Sequence, residues 1–403
     1  MAFKITPTEN SHDIMKIGID ARFLQGFRRG QGQYIYYLIK ELLEIDAENE
    51  YVIFYNSLKT GEFAFDRNTR RLKQVWCNMP GTILRQTWSR FCFPPVEYSI
   101  GNVDIFHNSG NFCFTHYSPI PSRAKMVATF HGIADPSMLW KKYDRKKIEK
   151  IDAWLRKIAD KASVIITVSE MAKKHLMHLI NVPGERIRVI YCGVNEKFRL
   201  INDPGMISTL LSKFGLAGRR YLLYVGGYEP NKNLEALLDV FCALSKNAGM
   251  DGLHLALVGE IDNFYRAALI KKAEVLKIAQ KVIFTDYISH DDLPFIYNGA
   301  EAFVLPTLIE SFGIPVLEAM ACGVPVITSK NTGVFEVVGD SVASFDPTDQ
   351  KEMVDSIGAV LGNKSLCLSL RERALERVKG LSWEKTARQT LAVYEEVHKK
   401  RKR

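Results

Sequence analysis

Short apolar runs alternate along almost the whole chain with stretches whose apolar residues recur at helical spacing. MKIGID (15–20) reads as a strand, and the spacing from Gln33 to Leu43 predicts a helix behind it. Further strands are expected at YVIFYN (51–56), VDIFHN (103–108), KMVATF (125–130), SVIITVS (163–169) and RIRVIY (186–191), most with helical stretches between them. The second half repeats the rhythm at YLLYVGG (221–227), LHLALVG (253–259), KVIFTD (281–286), AFVLPT (302–307) and VPVITS (324–329). Strands that are apolar at successive positions are covered on both faces, the condition of a parallel sheet between two layers of helices. Two such series predict an α/β chain of two doubly wound, Rossmann-like domains.

The rhythm breaks after Gly193–Val194 into NEKFRLINDPGMIS, a polar stretch holding Pro204–Gly205. This places a first domain at 1–195 and a second at 196–380. Residues 381–403 are expected to form one amphipathic helix, capped by Ser382 and running from Trp383 to Val397, with a basic tail. A length of 403 residues suits two domains.

Composition narrows the class. With 47% hydrophobic and 25% charged residues, the chain has the make-up of an ordinary globular protein. No apolar run approaches the roughly 18–20 residues of a membrane span, and the opening MAFKITPTENSHDIMKIGID lacks the apolar core of a signal peptide. The seven cysteines (Cys77, Cys92, Cys113, Cys192, Cys242, Cys322 and Cys367) are scattered, with no C-x-x-C pair. They read as free thiols in a reducing compartment, and the chain is expected in the cytoplasm.

A formal charge of +9 points to an anionic partner. The charge is concentrated: residues 141–157 carry eight Lys/Arg against three Asp/Glu, close to Trp140 and Trp154, and His398 to Arg403 add five more basic residues. Two readings stay open, a solvated helix face with a frayed tail, or peripheral contact with anionic lipid at the inner face of the plasma membrane. Nucleic acid is not an expected partner, because no binding module and no repeated aromatic–basic alternation is present.

The most informative stretch is PTLIESFGIPVLEAMACGVPVIT (306–328). A strand enters a loop, Ser311 and Gly313 loosen it, and Pro315 suits a first helical turn. Gly323 then ends the helix. The amides from Phe312 to Val316 would stand at a helix N-terminus, ready for phosphate or sugar hydroxyls. Glu310 precedes that helix and Glu318 lies within it; as carboxylates they suit the hydroxyls of a sugar and a ribose. In YVGGYEPNKN (224–233) a strand ends in Gly226 and Gly227, and Lys232 opens the next helix. A cation there suits a diphosphate leaving group. His131 ends the strand KMVATF, at the edge where an open α/β sheet places ligands. Gly30 and Gly32 in RGQGQY (29–34) read as a loop between the first strand and first helix. No D-x-D and no His/Cys cluster has metal-ligand spacing, so neither a metal nor a cofactor is expected.

The string ESFGIPVLEAMACGVPV resembles the E-x7-E region of the family 4 retaining glycosyltransferases, which have the GT-B fold. KIGIDARFL followed by GQGQY, VATFHG, ITVSE, VIYCGV, YVGGYEPNKN and SWEKTA are similar to further family landmarks in the same order, with the opening closest to a mannosyltransferase-like branch. The resemblance implies two Rossmann-like domains facing across a cleft, with the last helix returning to the first. It implies that Glu310 contacts the transferred sugar, that Ser311 and the amides of Phe312, Gly313 and Ile314 bind its hydroxyls, and that Glu318 holds the ribose. It also implies a diphosphate contact by Lys232 with Gly227 and Asn231 beside it, a closing contact by Gly32, and a donor-facing His131. Gly227 and Asn231 stand where relatives carry an arginine, Gly132 replaces an aspartate and Gln33 another arginine. The implied reaction is transfer of a hexose, mannose favoured, from a nucleotide diphosphate sugar, GDP-mannose before a UDP-sugar, to a saccharide acceptor such as a lipid-linked or surface-polysaccharide precursor. The implied route retains the anomeric configuration and uses no metal. A nucleotide-sugar epimerase or hydrolase of the same fold, or an inactive partner subunit, are the alternatives.

Overall fold

The computed structural model describes residues 14–24, 30–56, 65, 71–111, 120–132, 145–259 and 263–399. The opening segment to residue 13, Arg29, Cys113, the stretch from Trp140 to Asp144 and the tail from Lys400 to Arg403 lie outside the described residues.

Thirteen strands form two sheets among the described residues. The first comprises β1 (Lys16–Asp20), β2 (Glu50–Tyr55), β3 (Leu72–Trp76), β4 (Ile105–Asn111), β5 (Lys125–Phe130), β6 (Ala162–Thr167) and β7 (Ile187–Val189), in the order β3-β2-β1-β4-β5-β6-β7. The second comprises β8 (Arg220–Val225), β9 (Leu253–Val258), β10 (Val282–Thr285), β11 (Ala302–Leu305), β12 (Val326–Ser329) and β13 (Ala343–Phe345), in the order β10-β9-β8-β11-β12-β13. Every pair in the second sheet is parallel, as are β1–β2, β2–β3 and β1–β4 in the first. Leaving aside β7, both sheets follow one scheme: three strands wind outward one way, then the chain returns to the middle and winds the other way. Each sheet is the doubly wound form expected from the apolar runs. Leu222, Leu223, Phe303, Val304 and Ile327 are fully buried, as a strand covered on both faces requires.

Most strands are shorter than their apolar runs, while β2, β4 and β5 are not. The expected strand at 103–108 is displaced to Ile105–Asn111, and the run at 186–191 pairs only over Ile187–Val189. Residues 29–34 are corrected more substantially: the helix begins at Gly30, so Gly30 and Gly32 belong to its first turn and not to a loop. Gly32 is buried there. Two edge strands, β3 and β13, have no counterpart in the apolar pattern. In β3 the polar Gln74 is buried because its amide serves Tyr55 Oη at 3.1 Å and both backbone groups of Phe65 at 3.0 Å.

The chain divides into two compact units, Met1–Thr129 with Ala153–Ile165 and Thr390–Arg403, and Phe130–Asp152 with Ile166–Gln389. In the first, Asp20 at the end of β1 is fully buried and takes a two-pronged ion pair from Arg22, at 2.9 and 3.0 Å. The Arg22 guanidinium lies 5.2 Å from the ring centre of Trp88, on the helix Gly81–Phe91. Ser109 donates to the Asp20 carbonyl.

The last helix, Trp383–Lys399, is capped as expected, with Ser382 Oγ accepting from the Lys385 amide at 3.1 Å. Its far end belongs to the first unit. There the Tyr394 hydroxyl lies 2.6 Å from His107 Nδ1, and Lys125 donates to the Val397 carbonyl at 3.0 Å. His107 Nε2 meets Thr129 Oγ1 at 2.8 Å, which in turn lies 3.2 Å from the Tyr34 hydroxyl. All four side chains are fully buried, so His107 is a structural histidine that ties the last helix to β4 and β5. Replacing Tyr394 with Phe takes this partner from a buried nitrogen, which costs about 1–3 kcal/mol. Thermal or denaturant unfolding of Tyr394→Phe is expected to show a loss of that size.

Candidate active site

An open α/β sheet binds ligands beyond the carboxyl ends of its strands, where the winding direction reverses. In the second sheet that point lies between β8 and β11. The two loops leaving those strands carry the residues singled out from the sequence.

After Val225 the chain passes through Gly226, Gly227, Tyr228 and Glu229 into a short turn, Pro230–Lys232, then enters the helix Leu234–Leu244. After Leu305 it passes through Pro306 and Thr307 to Glu310, Ser311, Phe312 and Gly313, the last capping the helix Ile314–Ala321. The loops are laced together. The Asn231 carbonyl accepts from the Leu308 amide at 2.8 Å and from the buried Thr307 hydroxyl at 3.0 Å. Thr307 also donates to the Ile309 carbonyl at 2.8 Å, and Asn231 Nδ2 reaches the same carbonyl at 3.4 Å.

The lacing delivers the two charges to one place. Lys232 Nζ donates to Glu310 Oε2 at 2.6 Å, with 19% and 22% of the side chains exposed. Partial burial works to lower the lysine pKa. The Glu310 carboxylate and the more distant Glu229 outweigh it and hold the ammonium above its ordinary value. Lys232 is therefore charged throughout the physiological range.

The helix behind Glu310 starts where the sequence places it. Gly313 has φ +82°, and a Cβ there would stand 2.7 Å from Val334 Cγ2, so glycine is required on both counts. The Val316 amide is taken by the Gly313 carbonyl at 2.9 Å. The amides of Phe312, Gly313 and Ile314 stand at the open end of the helix, where N–H groups have no intrahelical acceptor. Glu318 lies one turn in and is buried, accepting from the Tyr297 hydroxyl at 2.9 Å. Burial pushes its carboxyl up to about 7, against the Tyr297 hydrogen bond, which pulls it down.

The structure adds residues that the motif reading missed. The Gly333 amide donates to the Glu310 carbonyl at 2.9 Å, and a Cβ on Gly333 would stand 2.1 Å from the Ser311 carbonyl oxygen. Only glycine allows this approach, which fixes the loop holding Glu310 from behind. On the same helix, Gly333–Val338, Glu336 accepts from the amides of Glu170 and Met171 at 2.7 and 2.8 Å and from the Tyr191 hydroxyl at 2.9 Å. A carboxylate at the first turn of the helix Glu170–Leu179 complements its dipole. The string NTGVFE (331–336) holds one local cue to this, Thr332 as the cap of its helix.

The remaining expected residues are carried elsewhere. His131 follows β5 directly and is half-buried beside Gly132, so it is not part of the laced pair of loops. Gly32 sits in the first turn of the helix Gly30–Ile45. Gly227 carries the carbonyl that accepts from Tyr224 Oη at 2.5 Å, and a Cβ on it would stand 2.4 Å from Glu229 Oε2.

The chain is similar to known proteins over most of its length. The family model described as glycosyl transferases group 1 matches residues 210–377, and the one described as glycosyltransferase family 4 matches residues 28–198. The O-antigen chain mannosyltransferase B of Escherichia coli is 30% identical over 296 residues, 72% of this chain and 74% of that protein. Among solved structures, sucrose-phosphate synthase from Thermosynechococcus elongatus superposes with a TM-score of 0.75 at 20% identity, covering 95% of this chain and 99% of that one. The Anabaena protein HepE, in complex with UDP and glucose, superposes with a TM-score of 0.71 at 16% identity, covering 95% of this chain and all of that one (100%). Those two likenesses establish the GT-B fold. With a relative of this identity and extent and both halves matched, the chain belongs to the group 1, family 4 glycosyltransferases.

Proposed function

We propose that this glycosyltransferase moves mannose from GDP-mannose to a lipid-linked or cell-surface polysaccharide precursor at the cytoplasmic face of the membrane, with retained configuration and without a metal. The observation that carries the reading is the Lys232–Glu310 pair at the switch point of the second sheet. The preference for mannose is supported by the name of the Escherichia coli relative.

In this reading Lys232 meets the diphosphate and Glu310 meets hydroxyls of the sugar. The amides of Phe312, Gly313 and Ile314 donate to the sugar, Ser311 lines the same loop, and Glu318 receives the ribose. Gly227 and Asn231 shape the diphosphate side. A carboxylate beside a diphosphate is repulsive by itself; Lys232 between them removes the repulsion. The bond from the anomeric carbon to the phosphate oxygen breaks with its electron pair passing to the diphosphate. The acceptor oxygen bonds the same carbon from the same face, and its proton passes to the leaving phosphate. Growing charge on that phosphate is what Lys232 stabilises, so the contact strengthens as the reaction proceeds. The Tyr228 hydroxyl, next to Gly227, is buried with no hydrogen-bond partner, and a polar ligand atom at the strand ends would satisfy it.

Transfer assayed with GDP-mannose is expected to fall at least about 10²-fold in Glu310→Ala and in Lys232→Ala, the scale of losing one preorganised electrostatic contact. A chelator should leave the unaltered protein at full rate, and donor should not turn over without acceptor. In a panel of nucleotide sugars scored by thermal unfolding, GDP-mannose is expected to stabilise most, by about 2.7 kcal/mol at one hundred times its dissociation constant.

Glu318 makes a pH signature. A carboxyl held above its ordinary 4.5 binds its proton more tightly in the folded chain than in the unfolded one. Its contribution therefore lowers stability as pH rises from about 4.5 to about 7 and levels off above. Glu318→Gln keeps an acceptor for Tyr297 but cannot ionise. Melting temperature measured across that window is expected to fall less in the variant than in the unaltered protein.

A further inference from the structure

Large apolar side chains cluster on one surface of the first unit. Phe91, Tyr98 and Phe93 are 72%, 66% and 54% exposed, and Ile83 and Met79 are exposed beside them in sequence. On the helix Gly81–Phe91 the outward stripe is Ile83, Thr87, Arg90 and Phe91, spaced i, i+4, i+7 and i+8 along one face. Leu84 and Trp88 occupy the inward face and are buried.

The surface is held firmly. Trp88 Nε1 donates to the Pro94 carbonyl at 2.8 Å, and the Val96 amide to the Pro121 carbonyl at 2.8 Å. The rings of Phe93 and Tyr98 meet edge to face at 5.7 Å.

Charge identifies the partner. From Arg67 through Val96 the sequence has no Asp or Glu, while it carries Arg67, Arg70, Arg71, Lys73, Arg85 and Arg90. The guanidinium of exposed Arg123 stands 5.5 Å from the Tyr98 ring centre. Exposed aromatic rings among cations, with the one carboxylate between them, Glu97, buried and accepting from Ser122 Oγ and the Arg123 and Ala124 amides, match a layer that is anionic outside and apolar beneath.

We propose that the face formed by Ile83, Arg90, Phe91, Phe93 and Tyr98 docks on an anionic lipid bilayer, with the aromatic rings entering the headgroup layer and Arg90 and Arg123 meeting lipid phosphates. It deepens the proposed use of a lipid-linked acceptor and rests on that reading. Trp88, on the inward side of the same helix, packs under Arg22 at the end of β1, so a lipid-linked chain held at this face lies beside the ligand edge of the first sheet.

The full-length protein is sedimented with vesicles of phosphatidylcholine alone and of phosphatidylcholine with phosphatidylglycerol, at low and high salt. Binding is expected only with phosphatidylglycerol and should weaken with salt. Phe91→Ser with Phe93→Ser should reduce it at least about tenfold, and Arg90→Glu should reduce it and its salt dependence. Stabilisation by a nucleotide sugar, measured on the same variants, should be unchanged, so failure of docking is distinguishable from failure of the donor site. Three results would overturn the proposal: the unaltered protein left in the supernatant with anionic vesicles; binding that survives the two serine substitutions but is abolished by Arg156→Glu with Lys157→Glu; or a dimer in light scattering that the serine substitutions dissociate, in which case a second copy of the chain covers the face.

Discussion

The second sheet is useful only because the loops leaving β8 and β11 are locked to one another. Two strands side by side do not by themselves align their loops, and each loop here runs several residues before its functional side chain. The hydrogen bonds from Leu308 and Thr307 to the Asn231 carbonyl set that alignment. Relative magnitudes favour this assignment over the ion pair. A partly exposed pair is worth about 0–1 kcal/mol, whereas each neutral hydrogen bond contributes about 1 kcal/mol and costs more if left unmade. The Lys232–Glu310 contact is a consequence of the lacing, and its value is positional.

That positional value lies in what need not happen when a donor arrives. A flexible lysine and a flexible glutamate would each have to be ordered at the moment of reaction, at a cost in rotamer freedom. Here both are already placed, one from each loop, with Gly333 bracing the backbone behind Glu310. The same economy explains the glycines. At Gly313 the backbone angle is unavailable to other residues, and at Gly333 the Ser311 carbonyl occupies the space of a side chain. Both are requirements of close approach between the loop and its neighbour, and neither touches the chemistry directly.

How much of this was legible in the sequence follows from the range of each interaction. The sheets, the helix after Glu310 and the cap at Ser382 depend on periodicity and on residues a few positions apart, and they were readable. The pairing of Lys232 with Glu310 was anticipated as a shared site through the family resemblance, because no local pattern joins residues that far apart. Asn231 was read as a donor-side residue standing where relatives carry an arginine; its carbonyl's part in lacing the loops is a backbone role, which side-chain identity does not encode. Gly333 and Glu336 were invisible for the same reason, since what they hold is distant in sequence. The glycines at 30 and 32 misled in the opposite direction. Glycine ordinarily marks a turn, but in the first helical turn its cost is small, and the helix simply starts there.

The two sheets share a strand order yet present different chemistry at the point of reversal, and this asymmetry divides the labour. In the first sheet the strand-end cation, Arg22, is committed to Asp20 through two hydrogen bonds and lies over Trp88. Taking Arg22 from a fully buried carboxylate would leave that carboxylate without its ion-pair partner, so Arg22 is committed and not available to a phosphate. In the second sheet the corresponding cation is Lys232, whose partner Glu310 is itself partly exposed. An ammonium has three donors, so in the proposed reading Lys232 keeps its contact with Glu310 while meeting a diphosphate oxygen. The same fold therefore offers one closed and one open ion pair, and in the proposed reading the diphosphate is met at the open one.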